Sequence, residues 1–114
     1  ASGAPPGRSC GVSGTDYEFD WDDNKAAINL GKHGMDFREA MTVMLDPLAM
    51  TFFDTEHSQD EERWISVGRS NEGALLLVVH TFTATGPNSA LVRIISARAA
   101  TRNERRQYEQ GTLQ

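Results

Sequence analysis

Three polar residues interrupt apolar stretches in the second half of the chain and are the first candidates for chemistry. Arg69, His80 and Arg93 each lie among alternating aliphatic residues of a predicted strand. An arginine binds phosphate or carboxylate through paired N–H donors, and a histidine transfers protons near neutral pH. Side chains on one face of neighbouring strands lie close together, so we expect these three to converge on an open face. The alternative is structural: Arg69 ends a strand, and the other two pair with carboxylates of the helices.

Other catalytic motifs are absent or weak. The chain contains no Gly-rich phosphate loop, zinc spacing, nucleophile elbow or HExxH pair. His33 ends a predicted helix, and attraction to the helix dipole explains it better than catalysis does. One acidic segment lacks the spacing and turn glycine of a calcium loop, so we interpret it as a solvated loop. That segment contains Asp54, Glu56, His57, Asp60, Glu61 and Glu62.

The net charge of −5 is unevenly spread along the chain. Residues 1–62 carry 4 Lys or Arg against 13 Asp or Glu, whereas residues 63–114 carry 7 Arg against 3 Glu. The overall acidity argues against a general nucleic-acid coat protein. The arginine-rich part suits an RNA backbone or an acidic protein surface. On charge alone we favour an acidic helical layer packed against a basic sheet edge.

The elements that position these residues begin with a strand and two helices. Aromatic and acidic residues alternate over residues 17–22, which predicts a half-buried strand. A helix capped by Asp22 or Asp23 follows over residues 25–33, and Gly34 ends it. A second helix over residues 36–45 begins with a reciprocal cap between Asp36 and Glu39.

Four strands and a last helix complete the predicted α+β fold. The strands cover residues 48–53, 63–70, 74–82 and 90–98, and a loop spans residues 83–89. Residues 75–79 are apolar on both faces, so their strand is central. Thr101 and Glu104 form a capping pair for a helix that ends at Gly111. We expect an antiparallel meander sheet with the helices packed on one face.

Length and composition predict one domain. A chain of 114 residues buries enough surface for a single core, which we assign to residues 15–114. Residues 1–14 are rich in Gly, Ser and Pro, so we interpret them as a flexible tail. A single cysteine, Cys10, and the lack of a secretory pattern or a long apolar run favour a soluble, cytoplasmic protein.

One family pattern matches residues spaced over positions 17–110. The matching residues are Phe19-Asp20-Trp21-Asp22, Lys25, Asn29, Lys32-His33-Gly34, Phe37, Ala40, Asp54, Glu62-Arg63-Trp64, Val67-Gly68-Arg69-Ser70, Val78-Val79-His80-Thr81, Arg93-Ile94-Ile95-Ser96-Ala97-Arg98, Thr101, Glu104 and Tyr108. In this register the chain resembles the BrnT family. The resemblance implies a bacterial or archaeal toxin with a RelE-like fold that cuts RNA without a metal or cofactor. It also implies a BrnA-like ribbon-helix-helix antitoxin as partner and a dimeric assembly through that antitoxin.

The matching residues suggest a mechanism for RNA cleavage. Arg69 and Arg93 clamp the scissile phosphate, and His80 acts as general acid or base. Lys25 and Arg98 hold flanking phosphates. Trp21 can stack on a base, although its alternation with Tyr17 and Phe19 favours core packing. These roles are expectations from the residues that match the family.

Two other interpretations stay open at this stage. The domain can be a protein- or nucleic-acid-binding module without catalysis, in which the arginines receive an acidic antitoxin surface. It can also be a structural domain whose polar strand residues are all satisfied internally. A buried His80 hydrogen-bonded to a carboxylate would favour the structural interpretation.

Overall fold

Seven strands and three helices make up the described fold. The computed structural model describes residues 10–12, 15–56 and 62–111. The strands are β1 (Cys10–Val12), β2 (Thr15–Trp21), β3 (Met50–Phe53), β4 (Trp64–Arg69), β5 (Leu75–His80), β6 (Thr83–Gly86) and β7 (Ser89–Ala99). The helices are α1 (Asp23–His33), α2 (Phe37–Met41) with a following 3-10 turn (Thr42–Leu45), and α3 (Arg102–Gln110). The predicted α+β class is confirmed.

The strands form one mixed sheet in the order β1-β2-β7-β5-β4-β3, with β6 paired to β7 as well. Strand β2 runs parallel to β7, and all other pairs are antiparallel. The prediction of a wholly antiparallel sheet is therefore wrong. The parallel pairing places Phe19 and Trp21 beside Val92 and Ile94, so their side chains complete one apolar face directly below the helices that follow.

Helices cover both faces of the sheet, which corrects the prediction that they pack on one face. Phe37 and Ala40 of α2 pack against Leu76 and Val78 of β5 in the larger core. Tyr108 of α3 packs against the smaller core on the opposite face, which contains Met50, Val67, Leu75 and Leu77. Strand β5 is apolar on both faces, and each face needs a cover to exclude water.

The helix ends follow the sequence signals, except in α2. Asp22 accepts hydrogen bonds from two amides at the start of α1, and Gly34 ends that helix with a φ of 67°. Helix α3 has the predicted reciprocal cap and ends at Gly111, which has a φ of 65°. The predicted Asp36 and Glu39 pair is wrong, because Asp36 accepts from the amide of Arg38 and Glu39 accepts from the Ser70 hydroxyl.

Two boundaries differ from the predictions. The predicted 83–89 loop contains β6, which pairs with the first residues of β7 beyond the point where β5 ends. Three residues of the predicted 1–14 tail, Cys10–Val12, pair with β2 as β1, and the other eleven lie outside the described residues. The 15–114 domain boundary stays a prediction. In the part of the chain that is described, no helix is long and apolar enough to cross a membrane.

Candidate functional site

A groove of about 630 Å³ crosses the sheet on the face that α3 partly covers. Its floor is a row of directly paired residues, one from each of four strands: Phe52, Ile65, Val79 and Ser96. Three strand spacings make the row about 14 Å wide. Helix α3 covers the Leu75 and Leu77 end of the same face, so the groove is the part of this face that α3 leaves open.

One wall of the groove is formed by α3, which a salt bridge anchors at its first turn. The Arg98 guanidinium donates to both Glu104 carboxylate oxygens, at 3.0 and 2.9 Å. Glu104 also accepts from the Thr101 amide at 2.8 Å, so the helix cap and the arginine share one carboxylate. This bidentate bond to Glu104 raises the pKa of Arg98. Burial opposes ionisation of Glu104, but the bonds from Arg98 and Thr101 outweigh it and lower the pKa of that carboxyl.

A β-bulge in β7 brings two predicted cations to the same face. His80 pairs with Ile94, but the preceding residue of β5, Val79, pairs with Ser96, so β7 contains one extra residue. An extra residue reverses the alternation of side chains along a strand. Arg93 and Arg98 are five positions apart and would otherwise lie on opposite faces. They lie on the groove face together, with Ser96 between them.

Helix α1 brings a histidine to the same part of the groove. The side-chain amide of Asn29 accepts from the Ala97 amide at 3.1 Å and donates to the Ala97 carbonyl oxygen at 2.9 Å. It also donates to the Met35 carbonyl oxygen. These bonds hold α1 beside the end of β7 that β2 does not reach. His33, in the last turn of α1, therefore lines the groove with Ser96 and Arg98.

The structure places His80 away from this face. Its side chain is 1% exposed and shares the larger core's face with Val78. Its Nδ1 donates to the Thr81 carbonyl oxygen at 2.9 Å, so Nε2 accepts from the Ser66 hydroxyl at 2.8 Å. The Ser66 oxygen also lies 2.8 Å from Thr51 Oγ1. Burial lowers the pKa of His80, which keeps the ring neutral at pH 7, and its described partners include no carboxylate.

Arg69 lies on the groove face but in a separate cavity of about 420 Å³. Its guanidinium stands 5.6 Å from the centre of the Tyr108 ring and donates to the Gly73 carbonyl oxygen. Arg69 pairs with Leu75 at one end of β5, whereas Arg93 lies beyond the other end. Five residues of strand separate them by roughly 17 Å. Arg69, His80 and Arg93 therefore do not form one pocket.

The remaining predicted RNA contacts are also dispersed. Trp21 is 4% exposed and packs edge to face on Phe37, with ring centres 6.0 Å apart, so no base can stack on it. Lys25 is exposed in the first turn of α1, near the opposite end of that helix from His33. Arg93 is more than half exposed and contacts the buried Asp20 carboxylate at 3.4 Å.

Sequence reasoning missed most of the groove. His33 was assigned to the helix dipole, and the amides of α3 that line the wall, Asn103 and Gln107, carried no motif. The other end of the groove is acidic, with Asp54 and Glu56. The described part of the acidic segment, together with the rest of the described chain, holds no group of three metal-ligating side chains. His57, Asp60 and Glu61 lie outside the described residues.

The arrangement has two chemically distinct ends. At the β7 end, the imidazole of His33 and the guanidinium of Arg98 offer proton transfer and anion binding, and Arg93 lies farther along β7 on the same face. At the β3 end, the carboxylates of Asp54 and Glu56 offer hydrogen-bond acceptors beside an apolar floor, and the amides of Asn103 and Gln107 line the α3 wall. Such a surface suits a ligand that is anionic on one side and flat and polar on the other.

Comparisons with known proteins agree with this chemistry. Residues 21–104 match the family model described as "Ribonuclease toxin, BrnT, of type II toxin-antitoxin system". The crystal structure of the Brucella abortus ribonuclease toxin BrnT is similar to this chain, with a TM-score of 0.51 and 26% sequence identity. That match covers 74% of this chain and 96% of the Brucella chain. No curated protein matches. This chain belongs to the BrnT family of ribonuclease toxins of type II toxin-antitoxin systems.

Proposed function

We propose that this chain is an endoribonuclease that cuts RNA without a metal ion, at the β7 end of the groove. The observation that supports this site most directly is that an imidazole, His33, shares one cavity with the guanidinium of Arg98. Arg93 lies on the same face of β7, and we call the guanidinium groups of Arg93 and Arg98 the cationic track. Family membership supplies the reaction class, and the groove supplies side chains suited to it.

The proposed reaction uses the RNA's own 2′-hydroxyl. His33 takes the 2′-hydroxyl proton as the oxygen attacks the adjacent phosphorus, the bond from phosphorus to the 5′-oxygen breaks, and the leaving oxygen takes a proton from solvent. The products are a 2′,3′-cyclic phosphate and a 5′-hydroxyl end. Arg98, which lines the groove with His33, binds the oxygens of this phosphate as their negative charge rises, and Arg93, five residues away along β7, binds a flanking phosphate. This mechanism keeps Arg93 and Arg98 from the sequence-based prediction and assigns the proton acceptor to His33 instead of His80.

The first test is cleavage of single-stranded RNA by the purified protein in EDTA, with the products mapped by their ends. We expect cleavage, and a cyclic phosphate at each new 3′ end. Cleavage that appears only when a divalent cation is restored contradicts the metal-free mechanism. Binding of RNA without any cleavage favours the non-catalytic binding module instead.

The second test separates catalysis from the helix-dipole role of His33. His33→Gln removes the proton acceptor, and loss of a general base costs about 100-fold or more in rate. Lys32→Gln is the matched control, because Lys32 lies in the same last turn of α1 but does not line the groove. Equal losses in the two variants would assign His33 to the dipole.

The antitoxin is the second part of the proposal. Family membership implies an antitoxin partner. We propose that this partner is a BrnA-like ribbon-helix-helix protein that covers the cationic track, that the assembly dimerises through it, and that both act in the cytoplasm. The RelE-like character of the fold is part of the same proposal. Co-expression with the protein encoded beside this chain should abolish both cleavage and RNA binding. Binding of that protein with cleavage unchanged contradicts masking of the track.

A further inference from the structure

We propose that the β3 end of the groove is a base-reading pocket for single-stranded RNA that prefers a base with an exocyclic amino group, adenine first. This inference rests on the proposed function, since it assumes that the anion bound along β7 is an RNA phosphate. It adds the substrate class and the residues that select it.

The floor of the groove is suited to stacking. Phe52 is 36% exposed, although it lies in a strand of the sheet and lines the groove with Ile65 and Val79. An exposed aromatic ring beside aliphatic side chains forms a flat apolar platform. Base stacking on such a platform tolerates any base, because every base has a π-face. The floor therefore contributes affinity without selecting a sequence.

Side chains of the α3 wall and of the β3 end of the groove select the base. Asn103 and Gln107 are one turn apart on α3 and both line the groove, so their amides face the same ligand. An amide that donates and accepts at once matches the adjacent acceptor and amino donor of adenine. Glu56, at the β3 end, accepts only, and it favours a base that presents an amino group. Uracil has no amino group, and its one edge donor, N3–H, lies between two carbonyl oxygens that the carboxylate repels.

The charges also orient the RNA in the groove. Arg98 and His33 lie at the β7 end, and Asp54 and Glu56 lie at the β3 end, about 14 Å away across four strands. At the β7 end Glu104 offsets the charge of Arg98, whereas the β3 end carries two carboxylates, so a phosphate is repelled more strongly from the β3 end. The backbone is therefore held along β7, and the base points across the sheet toward β3.

The geometry also excludes a duplex. A base reaches the Phe52 ring only if it leaves its own stack, and bases of a double helix stay paired and stacked. Single-stranded RNA presents unpaired bases, so no base pair has to open before a base reaches Phe52. We therefore expect recognition of loops and unpaired segments.

The experiment measures binding, so that it does not depend on cleavage. The probes are four short single-stranded RNAs that differ only at the base 5′ of the cut and carry a 2′-deoxy sugar there, which prevents reaction. We expect adenine to bind about tenfold more tightly than uracil, and the same sequence in a duplex to bind at least tenfold more weakly than the single strand. Fluorescence anisotropy gives each Kd.

Three variants assign the preference to residues. The double variant Asn103→Ala/Gln107→Ala should reduce the adenine-to-uracil ratio to about 1. Phe52→Leu should weaken all four probes about tenfold and leave the ratio unchanged, because stacking does not select. Gln110→Ala is the matched control, since this exposed amide on α3 does not line the groove.

The outcomes distinguish this inference from the proposed function. Equal binding of all four bases, equal binding of a duplex, or a ratio unchanged in the double variant overturns the base pocket even if RNA is cut. The absence of RNA binding also overturns it, and it would assign the groove to a protein partner. A base preference with no cleavage of the unmodified RNA supports the pocket and refutes the proposed catalysis.

Discussion

Burial favours the neutral form of a histidine that has no carboxylate partner. His80 is buried, and its described partners include no carboxylate. Its two ring nitrogens bond to a backbone carbonyl and the Ser66 hydroxyl, which are neutral groups and do not balance the charge of a protonated ring. The chain of bonds continues to Thr51 on β3 and links three strands inside the larger core's face. His80 therefore has a structural role: it stabilises the pairing of these strands and does not bind substrate.

This role predicts a specific dependence of stability on pH. Burial lowers the pKa of His80 below its ordinary value of 6.5, so the unfolded chain binds a proton there before the native one does. The contribution of His80 is complete above pH 6.5 and is lost as the pH falls below that value. We expect the Tm to fall between pH 7.5 and 5.5 and to fall less in His80→Gln, even though that variant is less stable at pH 7.5.

Thermal melting of three proteins checks this prediction. His33→Gln is the control, because it also removes one histidine, from an exposed position. It should keep the full fall in Tm of the natural chain. If His80→Gln keeps that fall as well, another group controls the pH dependence.

At the scale of elements, Asn29 replaces a missing strand. Strand β2 ends at Trp21, and within the described ranges the Asn29 side chain bonds in its place to both backbone groups of Ala97 on β7. The same amide holds the Met35 carbonyl after α1. One side chain therefore sets the position of the helix that carries His33.

Removing this amide should weaken both the fold and the site. Asn29→Ala leaves buried backbone groups without partners, at a cost of about 2–4 kcal/mol in the free energy of unfolding. Chemical denaturation measures the change, and the surviving folded protein should cleave RNA more slowly because His33 is displaced. Asn24→Ala, an exposed change on α1, should alter neither quantity. Full activity of Asn29→Ala would show that α1 is positioned by other contacts.

Helix α3 is anchored at both ends, and its second anchor allows a matched test. The Tyr108 hydroxyl donates to Asp46 Oδ2 at 2.6 Å, and the same oxygen accepts from the Arg69 amide. Tyr108→Phe removes one of these bonds, and we expect a loss of about 1–2 kcal/mol in unfolding free energy by denaturation. Tyr17→Phe, a half-buried control with no described hydroxyl bond, should change it by less than about 0.5 kcal/mol. Similar losses in both variants would argue against the anchor.

At the scale of the whole molecule, RNA must bind a protein of net charge −5. The two arginines of the proposed RNA contact lie along β7, and each also faces a carboxylate, Arg93 that of Asp20 and Arg98 that of Glu104. The proposed contacts of Arg93 and Arg98 with two phosphates predict that log K falls with log salt concentration at a slope of about −1.4 for a single strand.

Substitution of one arginine tests whether RNA contacts the arginines of β7 specifically. Arg93→Ala should reduce the magnitude of the slope by about 0.7, since one phosphate contact is lost. Arg105→Ala is the control, because Arg105 lies on α3 near Glu109 and outside the groove. The measurement uses the cleavage-resistant RNA over a salt series. Equal effects of the two substitutions would indicate diffuse attraction rather than a track.

Features that depend only on neighbours along the chain could be predicted from the amino-acid sequence. Such features depend on residues only a few positions apart, and the structure confirms them. They are the αL glycines at positions 34 and 111, the cap at Thr101 and the alternation in β2. The family was also readable from spaced residues, because the matches need no knowledge of which strands pair.

Tertiary structure decided which side chains share a face. Side chains alternate along a strand, so one extra residue reverses every position beyond it, and the bulge in β7 does this for Arg98. The pairing of His80 with Trp64 sent the imidazole into the core, and the parallel pairing of β2 sent α1 to the edge of β7. These registers depend on contacts between residues far apart in the chain. Local patterns therefore predicted the parts of the site but could not predict that His33, and not His80, lies in the groove.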